Sequence, residues 1–220
     1  MADDQLLNRK INAALQNFME EAHTVFRHLA EACDLFIKGD KNSLNMLASK
    51  SNQTIFEKLS EHKHNISVEV GKSYSILPLS TEHLRICLLI WDAGYTAERV
   101  IQRLGYIVGR TWVENSFFYD SIGLIASSIL HEFEIALENL TVLLRNREKA
   151  MRRRREIDEQ FLQITRYIDA LDKLILDQVD KSPALISFYD VANDLEEISR
   201  KILEASELVL VIAYADSALD

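Results

Sequence analysis

The sequence predicts an all-α protein built from six long antiparallel helices, arranged as two tandem three-helix repeats. Three observations support this prediction. Glycine occurs 6 times and proline twice in 220 residues, so the chain has few of the residues that end helices. Apolar residues recur at intervals of three and four, which places them on one face of a helix. The aspartate-to-glutamate spacing of residues 92–98 recurs at residues 190–196, 98 positions later.

The first half of the chain supplies three of these helices. Gly39 separates the first two, because glycine suits the C-terminal end of a helix. Pro78 interrupts the chain after the second helix, and Ser80 or Thr81 can then cap the N-terminus of the third. The predicted helices of this half cover residues 5–38, 41–73 and 81–108.

The second half repeats this order. Apolar residues such as Ile129 and Phe133 define the inner face of a fourth helix, and a basic junction, RNREKAMRRRR, leads into a fifth. Ser182 and Pro183 mark the start of the sixth, since serine caps a helix and proline suits its first turn. The predicted helices of this half cover residues 116–145, 157–175 and 185–213.

The third and sixth predicted helices match at several positions besides the aspartate and the glutamate. Because short connections require antiparallel neighbours, we interpret the pattern as a duplicated three-helix unit. The predicted repeats are residues 1–110 and 111–220, which together form a single compact domain. The positions that match at this offset are Asp92 with Asp190, Glu98 with Glu196, Val100 with Ile198, Arg103 with Lys201 and Leu104 with Ile202.

Charge and composition exclude several classes of protein. The chain carries 25 Lys and Arg against 34 Asp and Glu, a net charge of −9, which disfavours nucleic-acid binding because phosphate backbones are repelled. The longest apolar runs, ICLLIW and LVLVIAYA, are well short of the roughly 20 residues of a membrane span. The segment MADDQLLNRK lacks the apolar core of a signal peptide. Cys33 and Cys87 lie in apolar stripes, which is typical of buried thiols in a reducing compartment. We therefore expect a cytoplasmic protein.

Two three-helix repeats that each end in a helix with this acidic spacing resemble the PhoU-like proteins. The residues that carry the resemblance are LPLSTEHLRICLLIWDAGYTAERV, REIDEQFLQITRYIDALDKLI and YDVANDLEEISRKI. They are most similar to the small accessory proteins of Pit-type phosphate permeases. The resemblance implies a regulator of phosphate transport that contacts a membrane permease or its signalling partners. It also implies a location in the cytoplasm or peripherally at the inner face of the membrane, and a tendency to form homo-oligomers.

The resemblance further implies a metal-binding motif, in which an acid is followed four residues later by aspartate on the same helix face. This chain departs from that motif. Glu98 is followed by Gln102, and Glu196 is followed by Arg200, whose positive charge would repel a metal ion. The departure places a multinuclear metal cluster at these positions in doubt.

Glu98 and Glu196 lie on the same stripes as core residues, and a buried carboxylate requires a partner. We interpret them as paired acids that fix how the two repeats dock. The alternative is a ligand role in metal or phosphate binding. The basic residues that could pair with Glu98 are Arg99, Arg103 and Lys201.

A separate hypothesis concerns a transition-metal site. Glu20 with His23, and Glu61 with His64, each have the Glu-x-x-His spacing with which ferritin-like bundles hold metal ions. If the first two helices form a hairpin, these four residues and Glu57 converge and could hold a divalent or iron ion. The alternative is that all five belong to an ordinary solvated face.

Arg152, Arg153, Arg154 and Arg155 form a compact basic run in an acidic chain. Such a run can dock on an anionic membrane surface or on the acidic loops of a permease. Alternatively, it is a solvated helix start whose charge is offset by the acids beside it.

No enzymatic function is predicted, because the sequence lacks a glycine-rich phosphate loop, a Cys-x-x-Cys pair and a serine with a plausible His-Asp partner set. The leading hypothesis is a non-enzymatic PhoU-like regulator or adaptor of phosphate transport. The alternatives are a metal-binding helical bundle and a partner-binding bundle unrelated to phosphate. Apolar residues near the middle of the chain are candidates for self-association: Trp112, Phe117 and Phe118.

Overall fold

The helices follow the predicted order. The computed structural model describes residues 2–73, 79–108, 116–143, 147–177 and 185–217, and no strand occurs within these ranges. A π-helical segment, Thr54–Leu59, joins the second and third helices without a break, so that they form one rod with it. The prediction of an all-α fold of six long rods is confirmed. The helices are α1 (Ala2–Ile37), α2 (Lys41–Gln53), α3 (Ser60–Ser73), α4 (Ser80–Ile107), α5 (Ser116–Leu143), α6 (Arg147–Leu176) and α7 (Leu185–Ser217).

The turn between α1 and α2 forms as the sequence predicts. Gly39 has a φ of 70°, a left-handed conformation that glycine adopts without steric cost. The amides of Gly39 and Asp40 donate to the carbonyls of Phe36 and Leu35, both at 3.0 Å, which closes α1 with a Schellman motif. The Asp40 carboxylate then accepts a 3.1 Å hydrogen bond from the Ser43 amide and caps α2. The hairpin between the first two rods is thereby fixed.

The start of α4 differs from the prediction. Leu79 occupies the N-cap position and its side chain supplies no capping bond, while Ser80 is already helical and its Oγ is buried without a partner among the described residues. Instead, His83 donates from Nδ1 to the Leu79 carbonyl at 2.9 Å. The other punctuating residues, Pro78, Ser182 and Pro183, lie outside the described residues.

Four helices form the interior of the bundle and two rods flank them. α1, α4, α5 and α7 are central; the α2–α3 rod packs on α1 and α4, and α6 packs on α5 and α7. Between the predicted halves, the contact of α4 with α7 is the most extensive, and α1 packs on α5. Equivalent helices thus face each other, as a tandem duplication would produce. The proposed boundary at residues 110 and 111 lies outside the described residues, so the division into repeats stays a prediction.

Aromatic side chains connect the two halves through the core. The rings of Phe26 and Phe133 lie 4.4 Å apart between α1 and α5, and both side chains are fully buried. At the other end of α1, the ring of Phe36 lies 5.9 Å from that of Phe188 on α7. Burial of such rings stabilises each helix contact by a few kcal/mol, of the order of 1.5–3 kcal/mol per large side chain.

The predicted self-association surface is wrong for Phe118, because this side chain is fully buried, with its ring 6.2 Å from that of Phe188. Trp112 and the side chain of Phe117 lie outside the described part of the chain. The buried thiols are confirmed: Cys33 and Cys87 are both free and enclosed, and burial raises the pKa of each, that of Cys87 to about 12. None of the described helices has a stretch long and apolar enough to cross a membrane.

Candidate functional site

The outer edge of the α4–α7 contact carries the acids that repeat in the sequence. Both helices bury an apolar face in the core, with residues such as Val100 and Ile198 fully enclosed. Beside that apolar face, polar side chains of each helix reach across to the other helix. Their pairings show that the two helices run antiparallel, so the start of each lies beside the end of its equivalent.

Asp92 and Asp190 occupy equivalent positions across this contact. Lys201 of α7 donates to Asp92 of α4, and Nη1 of Arg103 on α4 lies 3.7 Å from Oδ2 of Asp190 on α7. Arg103 and Lys201 are themselves matched at the same 98-residue offset, so each aspartate pairs with the base of the opposite half. The side chains of Asp92 and Asp190 are each 51% exposed. The two acids therefore have corresponding environments about a pseudo-twofold axis.

Asp194 lies at the centre of the interface and holds two of the arginines of α4. It accepts hydrogen bonds from Nε of Arg99 at 3.2 Å, from Nη2 of the same residue, and from Nη1 of Arg103 at 2.9 Å. Its side chain is only 10% exposed. In the first half the corresponding position is Thr96, so this part of the network has no symmetric copy.

Two bases of the interface, Arg99 and Lys201, have raised pKa values. The hydrogen bond to Asp194 raises the pKa of Arg99. Burial alone lowers the pKa of Lys201, but its hydrogen bonds to Asp92 and Glu197 outweigh burial, and the pKa is raised. The second of these bonds, from Nζ to Oε1 of Glu197, is 2.8 Å long. The arrangement therefore provides a network of ion pairs between the two halves, in which some carboxylates are half-exposed and able to exchange partners.

Solved structures share this arrangement of helices. A PhoU-like protein from Shewanella oneidensis MR-1 matches with a TM-score of 0.76 over 91% of this chain and 97% of its own, at 12% sequence identity. The fold is PhoU-like. A second structure from that organism, described as a PhoU-like phosphate regulatory protein, gives a TM-score of 0.73 with the same identity and coverage. PhoU from Pseudomonas aeruginosa gives 0.74 at 13% identity over 96% of this chain and 99% of its own.

The comparisons by sequence find less: no family model matches the chain, and no curated protein matches it. The resemblance inferred from the repeated helices is thus confirmed as a PhoU-like fold. The narrower association with Pit-type permeases stays a prediction.

Glu98 is buried as predicted, but its partners are not those predicted. It is 4% exposed, and its Oε1 accepts hydrogen bonds from Nδ2 of Asn52 at 3.2 Å and from Nε2 of Gln102. The side chain points towards the α2–α3 rod and away from α7, so the basic residues of the interface do not reach it. The predicted partners pair with carboxylates at the α4–α7 contact instead: Arg99, Arg103 and Lys201.

Glu196, the repeat equivalent of Glu98, is exposed, and the prediction of a second buried acid is wrong. It lies beside α6, which presents further carboxylates at this position. Burial, followed by the negative charges of Glu196 and Asp169, raises the pKa of Asp172. The two glutamates differ because the flanking rods differ: one offers an amide donor, and the other offers acids.

The structure does not bring together the five residues proposed as metal ligands: Glu20, His23, Glu57, Glu61 and His64. His23 points towards α5, with its Nε2 3.2 Å from Oε1 of Glu134. Lys58 of the π-helical segment pairs with Glu21 at 3.0 Å, so Glu21 is the acid that faces the second rod. The other four proposed ligands are exposed. Among the residues that the structure describes, no three His, Cys, Asp or Glu side chains are placed to hold a metal ion.

Two arginines of the basic run near the start of α6 pair with acids of the protein itself. Arg153 pairs with Glu138 of α5, and Arg154 lies 3.6 Å from both Asp158 and Glu207. Arg155 is exposed and has no ion-pair partner within the described ranges, and the side chain of Arg152 lies outside them. The contacts of Arg153 and Arg154 fit an ordinary helix start, and a membrane contact by this run stays a prediction.

The sequence reasoning missed one acid with an unusual environment, Glu132. Glu132 of α5 is fully buried; Ser199 of α7 donates to its Oε2 at 2.6 Å, and its Oε1 has no partner among the described residues. Burial raises the pKa of Glu132 well above its usual range, against the smaller opposite effect of the Ser199 hydrogen bond. A signal was present, since Glu132 lies three residues after Ile129 and four before Ala136 on the apolar face of α5.

Proposed function

We propose that this protein is a non-enzymatic regulator of phosphate transport that acts as an adaptor on a membrane permease or its signalling partner. The observation that carries the proposal is the pseudo-twofold network of ion pairs between α4 and α7. It lies in a fold that matches, over 91% or more of the chain, structures described as PhoU or PhoU-like. The two cysteines are not suited to act as nucleophiles, because they are buried and their pKa values are raised.

This network of ion pairs offers a mechanism for such an adaptor. The aspartates of the two equivalent pairs, Asp92 and Asp190, are each half-exposed, and such pairs contribute only about 0–1 kcal/mol each. Lys201, whose side chain is only 10% exposed, keeps its 2.8 Å contact with Glu197 when Asp92 is released. A partner that presents its own charges can therefore replace these pairs at small cost. Asp194, which is nearly buried, keeps the halves together meanwhile. Partner binding at either aspartate would then exchange ion pairs at the outer edge of the α4–α7 contact while leaving the core intact.

The test is binding to a Pit-type permease encoded in the same genome, reconstituted in nanodiscs, at low and high phosphate. We expect the wild-type protein to bind and the Asp92→Asn/Asp190→Asn variant to bind at least about fivefold more weakly, the loss of roughly 1 kcal/mol. The matched control is Asp34→Asn/Asp120→Asn, which removes two exposed acids of α1 and α5. Phosphate uptake into proteoliposomes, with and without the protein, measures regulation. Absence of binding at both phosphate concentrations, or equal loss in the control variant, would refute the proposal.

A further inference from the structure

A groove with a volume of about 290 Å³ lies between α2 and α4. Its polar lining comes from Asn45, Ser49 and Asn52 on α2 and from Gln102 and Tyr106 on α4. Gly105 allows Asn45 to lie close to α4, since a Cβ at this position would lie 3.2 Å from Oδ1 of Asn45. None of the side chains that line it carries a charge.

The buried carboxylate of Glu98 lies behind two of these side chains. Asn52 and Gln102 both donate to its Oε1, and its Oε2 accepts no hydrogen bond from the described residues. A buried carboxylate is costly without a cation, yet Glu98 has no ion pair with any Lys, Arg or His of the described ranges. The groove therefore lies over a negative charge that the protein itself does not balance.

The lining is complementary to a hydrogen-bond donor. Because Asn52 and Gln102 use their amide NH₂ groups on Glu98, their carbonyl oxygens remain as acceptors. Tyr106 is 72% exposed at the edge of the groove, where its ring is open to contact. Arginine-type cations stack on aromatic faces more readily than other charged groups. An anion would meet neither a basic side chain nor a favourable charge here.

We propose that this groove binds a guanidinium group, which donates to the amide oxygens of Asn52 and Gln102, balances Glu98 and stacks on Tyr106. A guanidinium has five N–H donors, no acceptor and a permanent positive charge, and each property matches a feature of the groove. The group belongs either to a free alkylguanidine or to an arginine side chain of a partner protein. This inference is independent of the proposed role in phosphate transport.

Calorimetric titration at low ionic strength tests the proposal with two probes, agmatine and the peptide acetyl-Ala-Arg-Ala-amide. Glu98→Gln should weaken binding of the guanidinium about tenfold or more, because it removes a charge-assisted interaction. Tyr106→Ala should weaken it roughly two- to fivefold. Glu196→Gln is the matched control, since Glu196 occupies the equivalent position of the other repeat but is exposed. The side-chain NH₂ signals of Asn52 and Gln102 should shift in NMR spectra of the wild-type protein when agmatine is added.

The outcomes separate the possible sources of the group. Tighter binding of the peptide than of agmatine assigns the site to a partner arginine, and the reverse assigns it to a free alkylguanidine. Circular dichroism confirms that the isosteric variants remain folded. The proposal is overturned if the wild-type protein binds neither probe at millimolar concentration, if Glu98→Gln binds as tightly as the wild type, or if Glu196→Gln loses binding equally. It is also overturned if Mg²⁺ or Mn²⁺ occupies the groove and agmatine does not displace it.

Discussion

Replacement of Asp194 by asparagine should destabilise the protein more than replacement of any other acid at the α4–α7 contact. Asp194→Asn keeps the shape of the side chain but removes the charge that accepts three hydrogen bonds from Arg99 and Arg103. Breaking a fully buried ion pair costs about 3–5 kcal/mol. Here the arginines are 42% and 35% exposed and regain water when released. We therefore expect a loss of about 2 kcal/mol, or roughly 4–8 °C in Tm for a chain of this length.

Urea unfolding followed by circular dichroism measures this loss, and a double-mutant cycle with Arg103→Met measures the coupling. We expect a coupling energy of about 1 kcal/mol, because Arg103 supplies one of the three hydrogen bonds. Asp92→Asn is the control: its side chain is 51% exposed, and its enclosed partner Lys201 keeps a 2.8 Å contact with Glu197, so the loss should cost less than about 1 kcal/mol. The effect at Asp92 should also fall further in 0.5 M salt, since exposed pairs are screened more than enclosed ones.

Two results would refute the reasoning about Asp194. If Asp194→Asn destabilises the protein no more than Asp92→Asn, burial does not strengthen the ion pairs of Asp194. If it destabilises the protein but shows no coupling to Arg103, the loss arises from contacts other than the ion pairs.

Three further variants, one of them with a control variant, test other parts of the fold. Glu132→Gln should stabilise the protein at pH 7 but not near pH 4, because the pKa of Glu132 is higher in the folded than in the unfolded protein. The stability of the wild-type protein is therefore complete below the unfolded pKa of Glu132 and falls as the pH rises towards its folded pKa. Urea unfolding at pH 4, 6 and 8 measures this difference, and a gain that does not vary with pH contradicts it. Gly39→Ala should cost about 1 kcal/mol because φ is 70°, whereas Gly71→Ala, in open space within α3, should not destabilise; thermal melts compare the two. Phe133→Ala should cost about 3–5 kcal/mol by removing the contact with Phe26, and a loss below 2 kcal/mol in urea would show that the core collapses into the space.

The helices could be predicted from the sequence because each buries one continuous apolar stripe, and that stripe recurs at helical spacing. The π-helical segment could not be predicted in this way. Its residues, TIFEKL, keep Ile55 and Leu59 four positions apart and fit an ordinary helix equally well. Its altered hydrogen-bond pattern depends on how the rod packs on its neighbours, which periodicity does not describe.

The equivalence of Asp92 and Asp190 could be predicted because a duplication leaves a trace in the sequence itself. Their partners could not, because pairing depends on the register of α4 against α7. A position on a helix fixes only the range of directions in which an arginine side chain can point. Spacing alone would pair each base with the glutamate of its own helix, since Arg103 is as close in sequence to Glu98 as Lys201 is to Glu196. In the structure both bases cross to the opposite half instead. Local spacing therefore identified the residues of the interface but assigned the wrong contacts to them.

Glu98 and Glu196 show where the two halves are free to differ. At the α4–α7 contact each helix faces the equivalent helix of the other half, so a pair such as Asp92 with Lys201 recurs as Asp190 with Arg103, although Asp194 and Thr96 differ there. The two glutamates instead lie towards the outer rods, whose extensive contacts are with the helices of their own half, and nothing requires those rods to match. One rod supplies Asn52 and encloses its glutamate; α6 supplies acids and leaves its glutamate exposed. A ligand site that distinguishes the halves is therefore expected along the outer rods, while contacts that require both halves are expected along α4 and α7.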